Sequence, residues 1–322
     1  MVPPNKDSLA KVALVTSPAI GDSLLSMTVA HNLRRSGSAV TVFGPHIHAL
    51  RRWFPRIDIQ PGLSPDGAGL TLEAFGTVIQ LHDHRPLPGF TELHPRAWVL
   101  EDLCRMRSPK SMATRLTEFC RNDLGLADAE KNNGLQPPAG LVHRLHGSRV
   151  VIHPAASTPD KCWLPARFIA LASRLRGEGF DPQFIVGPAE RPQWEPLLRA
   201  QGLGLPDLGG LDSVASWIFE SGWFIGNDSG IGHLASNLHV PTLSLFMRQG
   251  GARTWRPDWG PGQVLIGSAG IPTGRLKEKL WKYVLTPGRV ARAFARLRGQ
   301  EAEQARGLPW NDGTMAAERG NA

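Results

Sequence analysis

Three consecutive segments decide the fold: KVALVTS (Lys11–Ser17), PAIG (Pro18–Gly21) and DSLLSMTVAHNLRR (Asp22–Arg35), followed after a short turn by AVTVF (Ala39–Phe43). Lys11–Ser17 is apolar and β-branched, so it reads as a buried strand. Pro18–Gly21 reads as a loop. Leu24, Leu25, Val29 and Leu33 then recur near helical spacing, and Gly37 stands where a helix often ends. Ala39–Phe43 is a second strand. Strand, helix and strand in such close succession point to a parallel α/β sheet.

Working outward, Thr77–Leu81 reads as a further strand. Ser111–Leu124 reads as a helix with Leu116, Phe119 and Cys120 on one face. Residues 127–148 break the pattern, with Lys131-Asn132-Asn133-Gly134 and Pro137-Pro138 and no sustained periodicity. The alternation then restarts. Strands are predicted at Arg149–His153, Pro182–Val186, Trp223–Gly226 and Thr242–Phe246. Helices are predicted at Pro165–Gly177, Arg191–Gln201, Ser213–Ser221, from Gly230, and at Pro287–Arg298. The chain is therefore predicted to hold two α/β halves in tandem: a first domain over 1–136, a linker over 137–148, a second domain over 149–286, a helix over 287–300 and a flexible polar tail over 301–322.

The 322 residues suit two domains better than one. Apolar residues at 41% and charged residues at 20% are ordinary for a globular chain, which excludes a disordered or fibrous protein. No apolar run reaches the roughly 18 residues of a membrane span, and the N-terminus does not read as a signal peptide. Cys104, Cys120 and Cys162 lie far apart, which excludes a disulfide scaffold and fits a reducing cytoplasm. The net charge of +8 is uneven: Arg275–Arg298 has eight basic residues against Glu278 alone. A solvated helix face is the plain reading of that stretch, and an anionic membrane surface is the functional one. No zinc-finger, RNP or basic-zipper pattern occurs, so nucleic acid is not an expected partner.

Paired α/β domains bind ligands at the carboxyl ends of their strands, and the notable residues lie there. Asp22 follows the first strand, as a helix cap or as a functional carboxylate. His153–Trp163 leaves a strand carrying Ser157, Thr158 and Lys161, groups suited to phosphate oxygens, although the glycine spacing of a Walker loop is absent. Gly226-Asn227-Asp228-Ser229-Gly230-Ile231-Gly232-His233 runs from a strand through a small turn into a helix. The free N–H groups there form an anion site, and His233 lies one turn in, as a donor or as a packed core histidine. Glu190 stands just past a strand end, as a ribose acceptor or a helix cap. His82-Asp83-His84-Arg85 ends a first-domain strand. Its alternate histidines have metal-like spacing, but no further ligands cluster nearby in sequence.

In this order the segments resemble glycosyltransferase family 9, the lipopolysaccharide heptosyltransferase family, over most of residues 11–298. Ala19–Asp22 looks like the family's G-D motif and His153–Trp163 like its H-P-G-A-S…K-R-W-P loop. Gly187–Glu190 looks like its G-P-x-E turn, and Gly226–Ala235 like its G-N-D-S-G-x-x-H-L-A signature. Ala155, Cys162 and Met247 depart from the pattern. The resemblance implies the GT-B fold, two Rossmann-like domains facing across a cleft, and an inverting, cytoplasmic transferase with ADP-heptose as donor. It implies that Asp22 is the general base and that Lys161 meets the donor phosphates. Ser157, Thr158, Glu190, Asp228, Ser229, Gly230 and His233 would complete the donor site, with His82 and Arg85 toward the acceptor. The implied acceptor is a glycan or lipid-linked hydroxyl such as a lipopolysaccharide core, with peripheral contact at an anionic inner membrane. No cofactor and no metal are expected, since the chain has no Asp-x-Asp and its one Asp-x-Glu, Asp128-Ala129-Glu130, falls in the aperiodic stretch. The alternatives are a family member using another nucleotide sugar on a small-molecule or protein acceptor, and a non-catalytic nucleotide-sugar-binding protein.

Overall fold

The computed structural model describes residues 7–267 and 280–306. The first sheet has five parallel strands: β1 (Lys11–Val15), β2 (Ala39–Phe43), β3 (Asp58–Gln60), β4 (Thr77–Gln80) and β5 (Ala97–Val99). Their spatial order is β3-β2-β1-β4-β5. The second sheet holds β6 (His146–His153), β7 (Asp181–Phe184), β8 (Ser221–Asn227), β9 (Thr242–Phe246) and β10 (Gly262–Ile266), in the order β10-β9-β8-β6-β7. Every pairing is parallel. The central strands are buried along almost their whole length because helices cover both faces, which is why they read as continuous apolar runs.

The first-domain helices are α1 (Ile20–Arg35), α2 (Pro45–Ala49), α3 (Pro65–Leu72), α4 (Phe90–Leu93), α5 (Glu101–Arg105) and α6 (Met112–Asn122). The second domain adds α7 (Pro165–Gly177), α8 (Arg191–Arg199), α9 (Leu211–Phe219), α10 (Gly230–Asn237) and α11 (Gln249–Trp255). The C-terminal helix is Pro287–Arg306, so the tail predicted from residue 301 is helical as far as 306, and positions 307–322 lie outside the described residues. β3, β5 and β10 were not predicted. Each is a sheet edge, and two of them are only three residues long, too short to show a period.

Residues 127–135, aperiodic in the sequence, form an ordered strap. Asn32 exchanges two hydrogen bonds with the Glu130 backbone, at 2.8 Å each, and the buried Asn133 donates to the Leu24 carbonyl at 3.0 Å. This strap lies along α1. Its order comes from asparagine side chains bonding to backbone, a device that leaves no hydrophobic period in the sequence. β6 then begins at His146, three residues before the predicted start.

α1 is buried on almost every side, including Ser23, Ser26, Thr28 and Asn32. One side meets the first sheet and α6, and another meets α10 of the second domain. A single hydrophobic cluster therefore runs from Leu14 and Leu24 through to Leu234 and Phe224. Polar ties reinforce the junction. Asp258 accepts from Ser111 Oγ at 2.6 Å and pairs with Lys131 at 3.2 Å. Asp212 takes Arg52 and Trp53 Nε1, both at 3.0 Å.

The two helix starts meet at glycines. A Cβ on Gly230 would lie 2.7 Å from the Gly21 amide nitrogen and 2.8 Å from Ile20 Cβ, and one on Gly21 would lie 3.1 Å from the His233 ring. Gly230→Ala is expected to force the domains apart and cost about 1–3 kcal/mol in urea unfolding. Gly67→Ala, in open space on α3, serves as the control. Equal midpoints for the two variants would show that the helix starts do not abut.

Candidate active site

In an open parallel sheet, the loops that diverge at the reversal of strand order leave a crevice. The first sheet reverses between β1 and β4, the second between β6 and β8. All the residues singled out in the sequence except Glu190, which follows β7, come after these four strands.

In the first domain, α1 is capped at Ala19, so Asp22 sits within its first turn and is not the N-cap residue. Its carboxylate instead meets His82 Nε2 at 3.0 Å and Arg85 Nη2 at 3.5 Å. His82 Nδ1 lies 3.1 Å from Glu101 Oε2, at the start of α5. Glu101 also accepts from the Asp83 amide and pairs with Arg105. Gln80, the last residue of β4, donates to the His82 and Leu87 carbonyls and accepts from the Leu87 amide, which fixes the turn that carries His82 and Arg85. The His82 side chain is only 7% exposed and Arg85 is 43% exposed. Both ring nitrogens of His82 are thus given to carboxylates, and Arg85 is the more accessible of the two predicted acceptor residues.

Electrostatics follow from this packing. Burial opposes the charged form of His82, but hydrogen bonding and charge from Asp22, and then from Cys104, outweigh it and push the imidazole up to about 10. Burial likewise opposes ionisation of Asp22, yet His82, Ser17 and Arg85 hold its carboxyl below the usual range. Asp22 is therefore an ionised carboxylate beside an imidazolium at neutral pH.

In the second domain, Lys161 Nζ pairs with Asp228 Oδ2 at 2.9 Å, joining the loop after β6 to the turn after β8. Ser229 is the N-cap of α10 and accepts from the Gly232 amide. His233 is 5% exposed, and its Nδ1 has no hydrogen-bond partner among the described residues. Burial holds its ring below the ordinary histidine range, so it is a neutral donor. Its neighbouring charges include Asp228, Asp22 and Lys161, from both domains. Ser157 and Thr158 are exposed on the loop. Glu190 precedes α8 without a capping hydrogen bond and folds toward its own turn, where its Oε2 would lie 2.6 Å from a Cβ on Gly187.

The structure thus gathers Asp22, His82 and Arg85 into one group, and Lys161, Asp228, Ser229, Gly230 and His233 into another. The groups adjoin where Gly21 meets Gly230. Ser157, Thr158 and Glu190 stand on the second-domain loops; the Thr158 carbonyl accepts from the Lys161 amide at 3.1 Å, but among the described residues none of the three has a side-chain hydrogen bond to either group. Three participants were not foreseen: Glu101, Gln80 and Asn227. Asn227 is fully buried; its Nδ2 donates to the Pro154 carbonyl at 2.6 Å and its Oδ1 accepts from the Trp163 amide at 3.2 Å. It therefore staples both ends of the Lys161 loop. Its place between Gly226 and Asp228 in the quoted signature was the available signal. Glu101 had none, because it follows an edge strand of three residues.

Residues 120–278 match the profile described as "Glycosyltransferase family 9 (heptosyltransferase)". Over these residues the chain is similar to glycosyltransferase family 9. The chain is 32% identical over 123 residues to Lipopolysaccharide heptosyltransferase 3 of Escherichia coli, a match covering 34% of this chain and 33% of that relative. It thus spans about one third of the length of the curated relative that it matches. Its fold is similar to that of E. coli ADP-heptose lps heptosyltransferase II, with TM-score 0.69, 17% identity and coverage of 91% and 99% of the two chains. It is also similar to E. coli heptosyltransferase WaaC with ADP, at TM-score 0.64, 14% identity and coverage of 89% and 99%. The architecture is GT-B, as the family resemblance implied.

Asn227→Ala is expected to leave a buried amide and a buried carbonyl unpaired, at a cost of about 1–3 kcal/mol. Hydrogen exchange should report lost protection at the Trp163 amide. Unchanged protection there would show that the loop is held without Asn227.

Proposed function

We propose that the chain is an inverting glycosyltransferase that moves heptose from ADP-heptose to a hydroxyl of a lipopolysaccharide core. The observation that carries this reading is the apposition of an ionised carboxylate, Asp22, with a cation and a helix start, Lys161 and Ser229–Gly230, at the two strand-order reversals. The 32% identity to Lipopolysaccharide heptosyltransferase 3 supports the sugar and acceptor class.

In this mechanism the acceptor oxygen attacks the anomeric carbon from the face opposite the diphosphate. The carbon–oxygen bond to ADP breaks, and the hydroxyl proton passes to Asp22. Charge building on the departing diphosphate is met by Lys161, by the unpaired N–H groups at the α10 start and by the neutral imidazole of His233. Ser157, Thr158 and Glu190 complete the nucleotide side, and Arg85 the acceptor side. No divalent ion takes part. Asp228, the carboxylate best placed to hold one, already has an ammonium at 2.9 Å.

Among the described residues no helix is long and apolar enough to cross a membrane. We place the enzyme in the cytoplasm, resting on anionic lipid. Positions 275–279 of the basic stretch lie outside the described residues. The remainder carries Lys282, Arg289, Arg292, Arg296 and Arg298 without an acidic residue, and Tyr283 and Val284 beside them are 58% and 44% exposed.

The test is mass-spectrometric turnover of ADP-heptose with heptose-deficient core acceptors. Asp22→Asn is expected to reduce kcat by about 10²–10⁴-fold, with ADP affinity unchanged by calorimetry. Transfer from a different nucleotide sugar, with none from ADP-heptose, would sink the donor assignment. Near-wild-type turnover in the variant would remove Asp22 as the base. Turnover is also expected to survive exhaustive EDTA treatment, and a loss restored by Mg²⁺ would defeat the metal-free route.

A further inference from the structure

The Asp22 carboxylate has a partner that itself has a partner. His82 lies between Asp22 and Glu101, 3.0 Å from one carboxylate and 3.1 Å from the other. Glu101 is itself anchored, by Arg105 at 3.3 Å and by the Asp83 amide at 3.3 Å. It comes from α5, beyond the edge strand β5, and so enters the site from a different element than either Asp22 or His82.

We propose that Glu101 is a positioning residue for transfer: it holds His82 doubly protonated with Nε2–H directed at Asp22 Oδ2, and so fixes the rotation of the carboxylate that receives the acceptor proton. The inference rests on the transferase reading above and adds the residue that sets the state of its base.

The chemistry of the three groups favours this. A neutral imidazole that donates from Nδ1 to Glu101 has a lone pair at Nε2 that Arg85 Nη2, at 3.2 Å, can meet, but the same lone pair faces the ionised Asp22 at 3.0 Å and is repelled by it. With both nitrogens protonated, each carboxylate receives a charge-assisted hydrogen bond. Arg85 Nη2, at 3.2 Å from His82 Nε2, adds a second cation and would disfavour the imidazolium if Asp22 stood alone. The second carboxylate offsets it, and with Arg105 on the far side of Glu101 the cluster holds two negative and three positive charges. The remaining titratable neighbours are His84, whose ring centroid is 6.1 Å away, and Cys104 on α5, which hydrogen-bonds His82 and also favours its charged form. Glu101 acts through His82 and touches no reacting atom. It does for the base what a buried carboxylate does for a catalytic histidine, setting proton placement and orientation.

Glu101→Gln preserves shape and an acceptor for Nδ1–H but removes the charge. The His82 imidazole, followed by nitrogen-15 NMR in the full chain, should then titrate about one to three units lower than in wild type. A two-unit drop would cut its protonated fraction at pH 9 about tenfold. The basic limb of the kcat profile should move down by the same interval, while ADP affinity stays unchanged. Glu101→Ala should lose kcat at every pH, which separates orientation from charge. A His82 titration and a basic limb that both stay fixed in Glu101→Gln would overturn the proposal. If Glu101→Gln unfolds, wild-type His82 decides: titration near neutrality would overturn the relay, and titration well above it would support it. If wild type turns over no nucleotide sugar, the transferase reading fails instead, and the His82 titration still decides the relay.

Discussion

The close approach of two helix starts, α1 and α10, is the constraint on which the rest depends. A Rossmann-type helix ordinarily buries one stripe on its own sheet and shows the other to water. Here α1 is buried on a second side as well, against the second domain, and only glycine at positions 21 and 230 lets the backbones come so near. Two of the buried hydroxyl residues of α1 are satisfied locally. Ser23 donates to the Ser17 carbonyl and Ser26 to that of Asp22. This contact brings the two strand-order reversals together, and both candidate half-sites sit on them.

Each half-site carries a carboxylate with its own cation. Asp22 has His82 and Arg85, and Asp228 has Lys161. Local pairing prevents two carboxylates from repelling each other across the domain junction, and it keeps Asp22 ionised despite burial. The two pairs differ in support. Asp22 is steered by a buried imidazole that a second carboxylate anchors, whereas Lys161 lies on a loop tied down by Asn227, by Trp281 Nε1 at the Asp160 carbonyl and by Lys282 at the Pro159 carbonyl. Order in the second half-site is therefore borrowed from the C-terminal segment, which packs Trp281, Phe294 and Leu297 into the second-domain core.

Much of this was legible before any coordinates. Apolar runs flanked by glycine and proline marked β1, β2, β4, β6, β8 and β9, because strands covered on both faces need apolar side chains at consecutive positions. Asp22, Lys161, Asp228 and His233 were visible as polar residues at strand ends. The strap over 127–135 was not, since asparagine bonds to backbone carry no periodic signature. Nor was the difference between His82 and Arg85, three residues apart, one enclosed by carboxylates and the other half exposed.

The sequence by itself determined the two tandem α/β units and the chemical types at their strand ends, because burial period and turn chemistry are local properties of the chain. Only the tertiary structure decided which of those residues meet. Asp22, His82 and Glu101 are separated by 60 and 19 positions, and their contact follows from strand order, with β4 beside β1 and β5 beside β4. Pairing across a parallel sheet is set by crossover topology and packing. No spacing along the chain encodes the 3.0 Å between Asp22 and His82 or the protonation that it imposes.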